Sequence, residues 1–178
     1  RLVSVCIGFL IVDVSASMTA HVRLFMAFAR GLVGSGVRTE VFAFHTRLVP
    51  VTEALAARDP MAAAERLAIL SEGFAGGTDI GAALGALAQA GTARRLTRRT
   101  VVLVISDGHC SGPPDAVATA LARLRRRAGR IAWLDPLHGR AAGTRPAALA
   151  TAMPHLDAHL PADGAGALAA LEPAFARL

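Results

Sequence analysis

Apolar runs alternate with amphipathic stretches along the whole chain. Residues 2–12 are apolar apart from Ser4, and 3–12 is read as a long buried strand. Val22, Phe25, Met26, Ala29, Leu32 and Val33 recur at helical spacing and predict a helix over 18–33, broken by Gly34 and Gly36. Short strands are expected at 40–44 and 47–52, joined through His45-Thr46 into a hairpin. Pro50 suits an edge strand, where a missing N–H costs no ladder bond. Asp59 and Pro60 open a further expected helix with Met61, Ala64, Leu67 and Ala68 on its face. A glycine-bearing loop at 73–77 leads to Thr78 or Asp79 as the cap of a helix carrying Ile80, Ala83, Leu84 and Leu87 inward. Residues 100–105 are almost purely β-branched, as in a strand buried on both faces. Pro113 and Pro114 open a helix with the stripe Val117, Leu121, Leu124 and Ala128. A strand at 130–134, a short helix at 146–153, a strand at 155–160 and a helix at 165–178 complete the pattern. Strands separated by helices predict βαβ units, a mostly parallel sheet with helices on both faces, and sites at the C-terminal strand ends.

Composition narrows the class. The chain has 178 residues, enough for one domain with a sizeable core, and 53% of them are hydrophobic, which excludes a disordered chain. It is read as a single domain over 1–178. Because it starts with Arg rather than Met, it is also read as a piece of a longer protein. The net charge is +6, and every basic residue apart from histidine is Arg; Lys, Asn and Tyr do not occur. Those three residues have AT-rich codons, so the bias points to a GC-rich genome and says little about nucleic acid. Two cysteines, Cys6 and Cys110, are too few for a disulfide scaffold and have no zinc spacing; Cys6 is expected in the core. The apolar run before Asp13 is too short for a membrane span, which needs about 20 residues, and no cleavage pattern follows it. The cytoplasm is the default compartment.

Three polar clusters interrupt the apolar scaffold, all expected at one sheet edge: Asp13-Val14-Ser15-Ala16-Ser17, Gly76-Gly77-Thr78-Asp79 and Ser106-Asp107-Gly108. Parallel strands bring Asp13 and Asp107 close together. Two carboxylates with hydroxyls form an all-oxygen donor set, which suits a hard divalent cation such as Mg²⁺. Neutral hydroxyls leave the cation's charge incompletely balanced, so it favours one more anionic oxygen. An Asp or Glu carboxylate from a protein partner meets that need, which describes recognition rather than catalysis. Either aspartate alone also reads as an ordinary strand-end cap. Asp79 reads as a helix cap or a brace for Thr78, and Trp133 as core. His109 and Cys110 read as exposed loop residues, with a place on a partner face as the alternative.

Asp13-x-Ser15-x-Ser17, then Thr78, then Asp107 resemble the metal-ion-dependent adhesion site of von Willebrand factor type A domains. The resemblance spans essentially the whole chain. It implies a Rossmann-like α/β/α sandwich whose sheet of about six strands runs 3-2-1-4-5-6, with one antiparallel edge strand. It further implies that Ser15, Ser17 and Thr78 supply hydroxyl ligands, while Asp13 and Asp107 act through water, to Mg²⁺ or else Mn²⁺ or Ca²⁺. Ala16 departs from the frequent Gly of the motif but is small. Residues 40–48, 76–81, 124–127 and 133–137 are similar to the bacterial CoxE-like branch. That branch implies an accessory role beside a MoxR-type AAA+ ATPase in maturing a molybdenum-containing carbon monoxide dehydrogenase or related enzyme. Its members usually carry a helical region ahead of this domain.

The rival reading is a Mg²⁺-dependent phosphoryl-transfer or hydrolase domain. Haloacid-dehalogenase phosphatases also place an Asp after the first strand, but need a second Asp two residues on, where this chain has Ser15. No phosphate loop or nucleophile elbow occurs. A scaffold with a vestigial site is a third reading, opposed by the intact motif. Arg123, Arg125, Arg126, Arg127 and Arg130 form the densest basic cluster. A solvated helix face is its default, and a protein-docking patch comes second. Nucleic acid comes third, since aromatics are only 4%. No catalysis, nucleic-acid binding or membrane insertion is expected.

Overall fold

The computed structural model describes residues 7–57, 77–89, 91–139 and 145–171. Its elements in chain order are β1 (Ile7–Asp13), a 3₁₀ turn (Ala16–Met18), α1 (Thr19–Gly34), β2 (Glu40–Phe44), β3 (Leu48–Pro50) and α2 (Thr52–Ala56). After the undescribed segment come α3 (Ile80–Gln89), a 3₁₀ turn (Gly91–Arg95), β4 (Val101–Ile105), α4 (Pro114–Arg125) and β5 (Arg130–Asp135). The chain continues through α5 (Ala147–Ala152), a 3₁₀ turn (Met153–His155), β6 (Ala158–Pro161) and α6 (Ala165–Ala169). The expected helix opened by Asp59 and Pro60, Cys6 with the start of the first strand, Gly76, and residues 172–178 lie outside the described residues.

The six strands form one sheet in the order β3-β2-β1-β4-β5-β6. All neighbours are parallel except the edge pair β2–β3. This is the expected architecture and strand order. Strand side chains alternate between faces, and the core divides accordingly. Phe9, Ile11, Phe42, Phe44, Val102, Val104, Ile131 and Trp133 pack against α3, α4 and α5. Leu10, Val12, Val41, Ala43, Leu103, Ile105, Ala132 and Leu134 pack against α1, α2 and α6. Both faces of β4 are therefore covered, as its all-β-branched and Leu composition predicts; all five of its residues are buried.

Boundaries differ where side chains compete with the ladder. The second hairpin strand stops at Pro50 instead of running to Thr52. The Thr52 hydroxyl accepts the Val41 N–H at 2.8 Å and so takes the place of a strand partner, and Thr52 opens α2. The last strand begins at Ala158 instead of His155, because Met153–His155 closes α5 as a 3₁₀ turn. Asp157 then joins the sheet through both its backbone and its carboxylate: its N–H donates to the Ile131 carbonyl at 2.8 Å, and its Oδ2 accepts the Ile131 N–H at 2.7 Å.

Candidate functional site

Asp13 is the last residue of β1, and Val12 pairs with Ile105, the last residue of β4. The next residue on β4's side, Ser106, therefore arrives beside Asp13. Its hydroxyl donates to Asp13 Oδ2 at 2.6 Å. The other carboxylate oxygen, Oδ1, accepts the Ser15 N–H at 2.9 Å and turns the chain toward the 3₁₀ turn. That turn brings the Ser15 and Ser17 hydroxyls within 3.2 Å of each other. Asp13 is wholly buried, Ser15 is buried and Ser17 is exposed, so the pair leads from the sheet edge to the surface.

Asp107 is also buried, at 3% exposure. Its Oδ1 accepts the His109 N–H at 3.0 Å, and the His109 ring Nδ1 lies 3.3 Å away. The segment is braced from beneath. The Trp133 indole N–H donates to the Ser106 carbonyl at 2.8 Å, and the Ser106 N–H donates to Leu134. Gly108 sits at φ +79 with Leu149 pressed against it, a position that L side chains rarely adopt.

Thr78 is held from two sides. The Asp79 N–H donates to the His45 carbonyl at 2.8 Å, just past the end of β2. The Thr78 carbonyl accepts the Ser111 N–H at 2.7 Å, from the loop that follows Asp107. Gly77 and Gly112 permit this close seating. A Cβ on Gly77 would stand 1.8 Å from Ser111 Oγ, and one on Gly112 would stand 2.7 Å from the Asp79 carboxylate. Asp79 caps α3, its Oδ1 accepting the Ala82 N–H at 2.8 Å. Asp13, Ser15, Ser17, Thr78 and Asp107 thus belong to three loops tied together at one sheet edge. Sequence reasoning placed Ser106 in the polar cluster beside Asp107 but not among the ligands, and it did not single out Ser111. Ser106 could have been found from its place at the strand end beside Asp107; the part played by Ser111 is visible only in the folded chain.

Burial pushes the Asp13 carboxyl up to about 6, against hydrogen bonds from Ser106 and Ser15, and the negative charge of Asp107 adds to the rise. Among the described residues no arginine pairs with either carboxylate, and no group of three or more His, Cys, Asp or Glu is placed to hold a metal ion. Asp135, at the end of β5, is taken up by the Leu137 N–H and by His159, 3.2 Å away. Trp133 is core, as expected. Two buried carboxylates with neighbouring hydroxyls and, among the described residues, no arginine partner fit a hard divalent cation, and do not fit a soft metal.

The basic cluster divides. Arg125 makes a forked pair with Asp157, and Arg130 adds a contact at 3.4 Å. Those two arginines fasten α4 and β5 to the start of β6 rather than forming only a solvated face. Among the described residues no helix is long and apolar enough to cross a membrane.

The fold is similar to known structures at low identity. BatB from Bacteroides thetaiotaomicron, a conserved hypothetical protein, aligns over 95% of this chain and 96% of its own, with TM-score 0.58 and 16% identity. Proximal thread matrix protein 1 from the mussel byssus aligns over 74% of this chain with TM-score 0.51 and 15% identity; the match spans 37% of the mussel chain. No curated protein matches the chain in sequence. Residues 8–168 match the family described as "VWA domain containing CoxE-like protein", and the chain belongs to that family.

Proposed function

We propose that this domain is a metal-dependent, non-catalytic adaptor that binds a protein partner through the C-terminal edge of its sheet. The observation that carries the reading is the pair of buried carboxylates, Asp13 and Asp107, set among hydroxyls and, among the described residues, paired with no arginine. Asp13, Ser15, Ser17, Thr78 and Asp107 would hold the cation, Mg²⁺ first and Mn²⁺ or Ca²⁺ as substitutes. When bound, the cation supplies an electrostatic bridge to an Asp or Glu carboxylate of the partner. The residues of this chain set up that bridge. Ser106 and the Ser15 N–H orient the Asp13 carboxylate, and the 3₁₀ turn carries Ser17 out to the surface. Ser111, Gly77 and Gly112 seat Thr78 against the Asp107 loop.

Membership of the CoxE-like family points to an accessory role exercised by binding other proteins. The finer proposal is a partnership with a MoxR-type AAA+ ATPase that matures a molybdenum-containing carbon monoxide dehydrogenase or a related enzyme. A phosphoryl transfer of the haloacid-dehalogenase type is disfavoured, since Ser15 stands where that site needs its second carboxylate.

Two measurements test the proposal. Mg²⁺ or Mn²⁺ should raise the melting temperature of the wild type and leave Asp13→Ala unmoved; equal responses would remove the site assignment. Affinity capture from the native host should retain an AAA+ ATPase or a molybdoenzyme on the wild type and lose it with Asp13→Ala. Metal-dependent phosphatase or peptidase turnover abolished by Asp107→Ala would replace the adaptor reading with an enzymatic one.

A further inference from the structure

The N-terminal edge of the sheet, at the far end of β4 from Asp107, carries a second arginine cluster that the sequence spreads over two segments. Thr97 to Thr100 form a tight turn. The Thr100 N–H donates to the Thr97 carbonyl at 2.9 Å, and the Thr97 N–H donates to the Thr100 hydroxyl at 2.9 Å. Arg98 and Arg99 stand at its apex, both exposed. The turn that ends α4 packs directly beside it. The N–H groups of Gly129 and Arg130 donate to the Thr100 carbonyl at 2.9 and 3.2 Å. Gly129 passes so close that a Cβ there would fall 1.9 Å from the Arg98 carbonyl oxygen. This contact places Arg126, exposed at the end of α4, on the same edge as Arg98 and Arg99.

These three arginines have no carboxylate partner among the described residues. Three neighbouring arginines do: Arg95 pairs with Glu40 at 2.7 Å, and Arg125 and Arg130 take Asp157. Cations in the last turn of a helix complement its dipole, which accounts for a basic end to α4. No such account covers Arg98 and Arg99, because a Thr-x-x-Thr turn needs nothing cationic at its apex. Gathering like charges costs stability unless something opposite meets them.

We propose that Arg98, Arg99 and Arg126 form a second docking surface that takes an acidic segment of a partner protein. The chemistry is visible on the same edge, where Arg125 grips the Asp157 carboxylate with both terminal nitrogens of its fork. Among the described residues no aromatic side chain belongs to the cluster, so it offers no stacking platform of the kind a single-strand nucleic-acid site uses. The five residues of β4, about 15 Å of strand, separate this surface from the Asp107 end. Both ends can therefore be engaged together, and the inference does not depend on metal binding.

The test uses the full chain and a fluorescein-labelled deca-glutamate peptide in an anisotropy titration. Wild type should bind, with affinity falling as salt rises. Arg98→Glu/Arg99→Glu should weaken binding at least about tenfold through charge reversal. The titration is run in EDTA, so that no cation at the Asp13 edge can take the peptide's carboxylates. A charge-matched Arg23→Glu/Arg47→Glu protein, altered at exposed arginines elsewhere, should retain affinity within about twofold, as expected where screening separates distant charges. Arg98→Gln/Arg99→Gln, with an unchanged thermal melt, guards against a folding defect and should lie between wild type and the reversal. Equal losses in the two reversal variants would mean that only net charge matters and would overturn the proposal. Absent binding, or tighter binding to oligo-dT or to phosphatidylserine vesicles than to the peptide, would overturn it as well.

Discussion

Replacing Asp13 by Asn should stabilise the metal-free protein, although it removes a central residue of the site. The carboxyl is wholly buried and its pKa is raised from the ordinary 3.8 to about 6. A rise of that size corresponds to a penalty of about 3 kcal/mol on the charged form at pH 7. Asn carries no charge and escapes the penalty. It has one acceptor oxygen, however, whereas Ser15 N–H and Ser106 O–H donate to two. Losing one of those bonds costs about 1 kcal/mol. The net expectation at pH 7 is a gain of about 2 kcal/mol, or about 5 °C in Tm for a domain of this size. The sign with pH follows from a folded pKa above the unfolded one. The penalty is fully present above about pH 6 and fades as pH falls toward 3.8, so the variant's advantage should vanish near pH 4.5. Urea unfolding in EDTA reads this directly, because Trp133 is the sole tryptophan and is fully buried. Saturating Mg²⁺ should reverse the order: at a hundredfold excess over Kd the wild type gains about 2.7 kcal/mol. A variant no more stable than wild type at pH 7 in EDTA, or an advantage that ignores pH, would refute the reasoning.

Other substitutions probe the supports. Gly77→Ala must push Ser111 away from the Thr78 loop; it should weaken the metal-induced rise in Tm more than it lowers the Tm in EDTA. Trp133→Phe removes the indole bond to the Ser106 carbonyl and should cost about 1–3 kcal/mol in thermal unfolding, the range for a buried acceptor left unmet. For Asp157, burial raises the carboxyl, but bonds from Arg125 and the Ile131 N–H, with the charges of Arg125 and Arg130, outweigh it and hold the pKa below the usual range. Its contribution is therefore present above about pH 4, the unfolded carboxylate range, and is lost as pH falls through the depressed value. Asp157→Asn should cost about 1–2 kcal/mol at pH 7, discounted for the partly exposed Arg125, and the cost should shrink in acid denaturation curves below pH 4.

The sequence pattern was enough to read the strands of a mostly parallel sheet and the residues at their C-terminal ends, while the strand order rested on the family resemblance. Strand identity follows from local pattern. Residues 101–105 are apolar without a break, so that strand needs cover on both faces. Parallel strands put the ends of β1 and β4 on one sheet edge, and the strand order implied by the resemblance sets them side by side, and with them Asp13 and Asp107. Hydroxyl-bearing residues after a buried strand stood out against an apolar background, which made the Asp13-x-Ser15-x-Ser17, Thr78 and Asp107 set legible. Asp79 as the cap of α3 was legible for the same reason: capping is local chemistry.

What joins distant segments was decided only by the tertiary structure. Ser106 reaches Asp13 across a separation of 93 residues, and Ser111 clasps Thr78 from another loop. Periodicity and composition carry no record of such pairs, which depend on strand register and on how closely two backbones approach. The arginines show the difference most clearly. In the sequence, Arg123 to Arg130 form one dense cluster, while Arg98 and Arg99 lie in a separate segment ahead of β4. In the fold, Arg125 and Arg130 turn to Asp157, while Gly129 draws Arg98 and Arg99 beside Arg126. Charge count is a property of the chain. Which charges are answered by a neighbour, and which are left facing outward, is settled by packing.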